Sequence, residues 1–186
     1  MKVLELLSVP KNNQSLAEIN EWLFTLVEDF STTNYGGTHP TFDDQHSHEI
    51  GTEDGFTVRA SKFVDTVAFG IVKNGNVLAY MCIAKQPIQI NGKPYHRVVR
   101  ERTDSGHRDL GLQAAMYLLI LKKLKRNLIG NDKASINGMQ IMKKLIADAR
   151  FDISYYNDVD KTVVNKQPDD LFTPATDWHI MFNSKQ

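Results

Sequence analysis

Residues 66–101 read TVAFGIVKNGNVLAYMCIAKQPIQINGKPYHRVVRE. Two apolar runs, Val67–Val72 and Val77–Ala84, flank Lys73–Asn74–Gly75–Asn76. Asn-Gly between apolar runs is the strongest short-range hairpin signal, because both turn residues must take positive φ. A second pair, Asn91–Gly92, separates Pro87–Ile90 from Tyr95–Glu101. The middle of the chain therefore predicts an antiparallel meander.

On the N-terminal side, Val3–Val9 predicts a first strand broken at Pro10. Ser15 and Glu18 have the spacing of a capping box. The segment Leu16–Phe30 then carries apolar residues at helical spacing. Residues 31–62 read as a long loop holding His39, Asp43, Asp44, His46, His48 and Glu49, with a short strand near Phe56–Arg59. Those side chains are of types that bind zinc, but their spacing matches no closed motif. The expectation is a polar loop that shapes access to a site, with no metal.

On the C-terminal side, Gly111–Lys125 and Lys133–Ala149 predict two amphipathic helices around a short strand at Leu128–Ile129. Asp132 is the candidate cap of the second helix. Strands at Phe151–Tyr156 and Trp178–Asn183 follow, separated by a polar stretch. The order predicts an α+β, or mixed α/β, single domain over residues 1–186.

The chain has 186 residues, enough for a core of its own. Its 22 basic residues balance 22 acidic ones, so nothing in the totals predicts a nucleic-acid partner. The single cysteine, Cys82, lies in an apolar run and reads as a small buried hydrophobe. No signal-peptide or membrane-spanning pattern is seen, so a cytoplasmic protein is expected.

The strand Arg97–Glu101, the turn Arg102–Gln113 and the helix beyond it resemble the acyl-CoA N-acyltransferase (GNAT) superfamily. That superfamily carries Arg or Gln, two residues, Gly, one residue, then Gly or Ala. Arg108 and Gly111 stand at matching positions, and Gln113 departs from the last one. The resemblance implies a central, mostly antiparallel sheet flanked by helices. It also implies acetyl-CoA as cofactor, bound by Arg102, Thr103, Arg108, Asp109, Leu110, Gly111, Leu112 and Gln113. A pyrophosphate would sit on the turn, where Gln113 is larger than the family's small residue and would crowd it. The physics agrees with an anion there, since a helix start offers unpaired N–H groups.

Activity by resemblance is acetyl transfer to an amine of a small molecule or protein. Glu101 is the first candidate base and His96 the second. The family's tyrosine acid falls at Met142, which leaves Tyr155 as a substitute, while Tyr117 reads as packing. Gly92–Tyr95, Arg108–Gly111 and Tyr117, together with Asn131, Asp132 and Ser135, also look like GNAT-like proteins of tailed bacteriophages. That likeness, with the departures at Gln113 and Met142, leaves a second reading open: a catalytically inactive protein with a virion or host protein partner.

Overall fold

A computed structural model of the chain describes residues 16–24, 40, 42, 47–53, 55–130, 136–173 and 176–184. Ten strands form one sheet: β1 (His48–Glu53), β2 (Phe56–Lys62), β3 (Thr66–Lys73), β4 (Asn76–Ala84), β5 (Ile88–Ile90), β6 (Lys93–Thr103), β7 (Asn127–Ile129), β8 (Asp152–Asn157), β9 (Val163–Val164) and β10 (Trp178–Asn183). Their order is β1-β2-β3-β4-β6-β7-β10-β8-β9, and β5 pairs β6 off this path. Every pairing is antiparallel except β6 with β7.

The two Asn-Gly pairs do what their chemistry predicts. Asn74 and Gly75 have φ of 51° and 77°, and Asn91 and Gly92 have φ of 51° and 74°. Two consecutive residues at positive φ twist the chain in the sense that paired strands require. The turns close on Lys73↔Asn76 and Ile90↔Lys93.

The continuous apolar runs of β3 and β4 are buried on both sides. Val67, Phe69, Ile71, Met81 and Ile83 join the main core. Ala68, Tyr80 and Cys82 face the other way, under Phe42. Cys82 is buried as expected. Phe42 packs over Gly70, where an added Cβ would stand 2.6 Å from the ring.

The described α-helices are short: α1 (Leu16–Phe24), α2 (Leu112–Leu118) and α3 (Ile136–Ile146). The helix of α2 runs on through a π-helical segment, Leu119–Lys123. Leu23, Leu112, Met116, Met142 and Leu145 all enter the main core. Among the described residues, the α-helices thus pack on one face of the sheet.

This corrects the expected fold. The chain is not a GNAT-like sheet flanked by helices; it is mostly sheet, ten-stranded, with three short α-helices among the described residues. Part of the difference lies in residues 31–62, read as loop. That span supplies the hairpin β1–β2, which lengthens the sheet at its edge. Another part is β9, inside the polar stretch between β8 and β10. The expected strand at Val3–Val9, the cap at Ser15, helix residues 25–30 and the cap at Asp132 lie outside the described residues.

Candidate functional site

Strand β6 changes partner along its length. Tyr95, His96 and Arg97 pair in parallel with Asn127, Leu128 and Ile129 of β7. From Val98 to Thr103, β6 pairs with β4 alone among the described strands. Beyond Ile129 the chain leaves β6, and Gly130 N–H donates to Ile180 O at 2.7 Å. A gap opens beside the second half of β6, and the start of α2 together with α3 walls it in. The resulting cleft has a volume of about 310 Å³, within the range of small-molecule sites.

A bulge decides what faces this cleft. Ile83 pairs with Val98 but Cys82 pairs with Arg100, so Val99 is an extra residue on β6. Strand side chains alternate, and one inserted residue reverses the alternation beyond it. Glu101 and Thr103, opposite Met81 and Ala79, therefore share the core face with Val98. Were Val99 paired in regular alternation, they would face away from the helices.

Glu101 is half-buried in the cleft wall. Loss of solvent around its carboxyl raises its pKa from the usual 4.5 to about 7. The Tyr117 hydroxyl donates to Glu101 Oε2 at 3.3 Å and pulls the other way, favouring the carboxylate. Tyr117 comes from α2 and has no exposed surface. Its phenol is held well above its ordinary value, first by burial and then by the Glu101 charge. Glu101 thus has one hydrogen-bond donor fixed on its buried side, and it changes protonation near neutral pH.

The turn beyond β6 is tied down by its own side chains. Asp104 N–H donates to Leu78 O at 2.8 Å, and His107 Nδ1 lies 2.8 Å from Asp104 Oδ2. The hydrogen bond from His107 holds the exposed Asp104 carboxyl below its ordinary range. Residues Ser105–Leu110 form a 3₁₀ turn that ends at Gly111, with φ of 68°. This is a left-handed position that glycine accepts without strain.

Gln113 points inward. It is buried, and its Nε2 donates to Arg102 O at 2.8 Å, Thr103 Oγ1 at 3.0 Å and Tyr80 O at 3.4 Å. The first helical turn is thereby fastened to the β4–β6 ladder. Thus the side chain expected to crowd a bound phosphate is directed at the sheet.

Arg102, Thr103, Arg108, Gly111, Leu112 and Gln113 all line the cleft with Glu101. Asp109 and Leu110 lie between them in the 3₁₀ turn. His96 is elsewhere. It sits five residues before Glu101, roughly 16 Å along a strand, buried against the Phe24 ring with Nδ1 2.8 Å from Ala84 O. Tyr155 is buried in the core on β8, three strands from β6 in the sheet order, and does not line the cleft. The phenol that reaches Glu101 is Tyr117. Met142 is a core residue.

Sequence reasoning missed the α3 wall, with Gln140, Ile141, Lys144 and Leu145. The signal was the helical spacing itself, which places Ile141 and Leu145 on one face and Lys144 beside them. Of the proposed metal cluster, His48 and Glu49 are in β1, while His39, Asp43, Asp44 and His46 lie outside the described residues. Among the described residues no group of three or more His, Cys, Asp or Glu side chains converges. Nor is any described helix long and apolar enough to cross a membrane.

The site so defined is a single cleft that combines a carboxyl titrating near neutrality with exposed cations at its rim, Arg108 and Lys144. No family model matches the chain, and no curated protein matches it either.

Proposed function

We propose that the cleft transfers an acyl group from an acyl-CoA thioester to an amine, with Glu101 as the general base. The observation that carries this reading is the Glu101 carboxyl, raised to about 7 in a cleft whose other walls bear Arg108 and Lys144. A base with a pKa near the working pH has both the right protonation state and useful basicity. The amine nitrogen bonds to the thioester carbonyl carbon as Glu101 takes its proton. The C–S bond then breaks, and its electron pair leaves on sulfur. The thiolate takes a proton from Glu101 or from solvent. Tyr117 is a positioning residue in this scheme, since its hydroxyl holds Oε2.

Arg108 and Lys144 supply charge for the phosphates of the thioester carrier. The apolar side chains of Leu112, Ile141 and Leu145 suit its uncharged arm.

The test is direct. Acetyl-CoA at millimolar concentration raises the melting temperature, because a ligand that binds only the native state must stabilise it. Arg108→Ala removes most of that rise. With a panel of amines, free thiol is released, and Glu101→Gln slows release about 10²- to 10⁴-fold while the melting shift persists. No melting shift sinks the reading. A shift without thiol release from any amine leaves a thioester-binding protein and removes the enzyme.

A further inference from the structure

The face of the sheet on which no described α-helix packs holds a second cavity, of about 670 Å³. It does not belong to the Glu101 cleft. Leu128, Phe182 and Tyr155 face the main core, while their neighbours Ile129, Met181 and Tyr156 form a separate cluster on the opposite face. The cavity lies on that opposite side and touches strands β5 to β10 in turn.

The half-sheet must be curved to make it. Strands β6, β7, β10 and β8 separate β5 from β9, so a flat sheet would hold them roughly 24 Å apart. Yet Ile90 of β5 and Val163 of β9 line one cavity. Ile90, Tyr95, Ile129 and Met181 are at most 4% exposed although no described α-helix covers them. A curved sheet shelters them, and the mouth of a rolled sheet is a common ligand site.

The floor is made of neutral groups that are already oriented. Tyr95 Oη donates to Asn183 Oδ1 at 2.6 Å, and Asn183 Nδ2 donates to Asp152 O and Ser154 Oγ, each at 3.3 Å. Asn127 Oδ1 accepts from Ser184 N and Oγ at 2.8 and 2.9 Å, and its Nδ2 donates to Pro94 O at 3.0 Å. These bonds fix both amide orientations. They leave one N–H of Asn127 and the hydroxyls of Ser154 and Ser184 with capacity unused. At the rim stand the exposed amides of Asn91 and Asn165. Ile90, Val163 and Met181 add apolar surface.

We propose that this trough binds a neutral carbohydrate. Sugar hydroxyls donate and accept at once, as the amide and hydroxyl lining does, and the C–H face of a pyranose suits the apolar strip. A carboxylate or phosphate ligand would need a lining of donors. Here the charged lining is two lysines, Lys93 and Lys125, and one carboxylate, Asp152. The proposal goes beyond acyl transfer and does not rest on it.

Titration of the ¹⁵N-labelled full chain with glucose, galactose, mannose and N-acetylglucosamine tests it, with glucuronate and glucose 6-phosphate as charged comparisons. At least one neutral sugar shifts the amides of Asn127, Ser154 and Asn183 and saturates with a Kd of about 1–10 mM. Asn165→Trp, an exposed rim substitution, weakens that binding about fivefold or more. Glu101→Gln leaves it unchanged. The proposal is overturned if no neutral sugar moves these amides at about 50 mM. It is also overturned if Asn165→Trp binds like the parent, or if the charged sugars alone respond.

Discussion

Gln113 Nε2 donates toward two carbonyl oxygens, Arg102 O and Tyr80 O, so the amide cannot be turned over without setting oxygen against oxygen. Its Oε1 is left buried without a protein partner beside the cleft. The two substitutions at this position therefore separate. Gln113→Ala loses the bonds and costs about 1–3 kcal/mol. Gln113→Glu has nearly the same shape but no donor, so a carboxylate meets two carbonyls. It costs about 3–5 kcal/mol at neutral pH, the range for a buried charge without its partner. The loss shrinks at acid pH, where the carboxyl is protonated and donates again. Urea denaturation at two pH values reads both effects, and equal stability of the two variants at neutral pH would contradict the geometry. Sequence alone could not give this result. It named Gln113 as the residue that departs from the resembled motif, but residue type does not say which way a side chain points.

The bulge at Val99 sets the direction of Glu101 and Thr103, so its effect belongs to β6 as a whole. Deleting Val99 makes Val98 and Arg100 neighbours and restores a regular ladder with β4, in which Glu101 and Thr103 still pair with Met81 and Ala79 and keep the core face. The carboxyl stays in the cleft, its pKa stays at about 7, and Tyr117 keeps its acceptor. In the deletion variant, ¹³C-detected titration of Glu101 shows a midpoint close to the parent's. A midpoint that falls toward 4.5 would mean that Val99 is not the extra residue of the strand. The elements themselves were unequally legible. The two hairpins could be read because Asn-Gly has a local conformational reason to turn. The β1–β2 hairpin was mostly missed because β1 carries a glycine and few apolar residues, and its register is irregular between Glu49 and Gly51. In β2 the sequence does alternate, and Phe56, Val58 and Ala60 face inward. The short-strand reading at Phe56–Arg59 caught only part of it. No local pattern announces a bulge, since it depends on how two distant strands pair.

For the whole molecule, the packing of the described α-helices on one face leaves two titrating side chains in the same core with opposite demands. Glu101 has its folded pKa raised, chiefly by burial, from 4.5 to about 7. The unfolded chain then releases this proton before the folded chain does. Stability from this group is complete below pH 4.5 and is lost as pH rises to about 7. The loss amounts to about 3 kcal/mol at most, at 1.36 kcal/mol per pKa unit. His96 has its folded pKa lowered from 6.5, chiefly by burial, and its Nε2 has no partner to share a proton with. Its contribution is present above pH 6.5 and is lost as pH falls below it. Between pH 4.5 and 6.5 the two slopes oppose each other, and the parent's melting temperature changes little for this reason. Single substitutions uncover each slope. Glu101→Gln keeps the size of the side chain and removes the upper loss, so it becomes more stable than the parent above pH 7. Its melting temperature then falls with acid below pH 6.5. His96→Asn keeps a donor for Ala84 O and is less stable throughout because it leaves a gap beside Phe24. Its melting temperature rises steadily as pH drops from 7 to 4.5. Melting scans of the three proteins across this range decide the matter. Parallel curves for the parent and Glu101→Gln would show that the carboxyl is not desolvated, and Glu101 would then have no claim as a base at neutral pH.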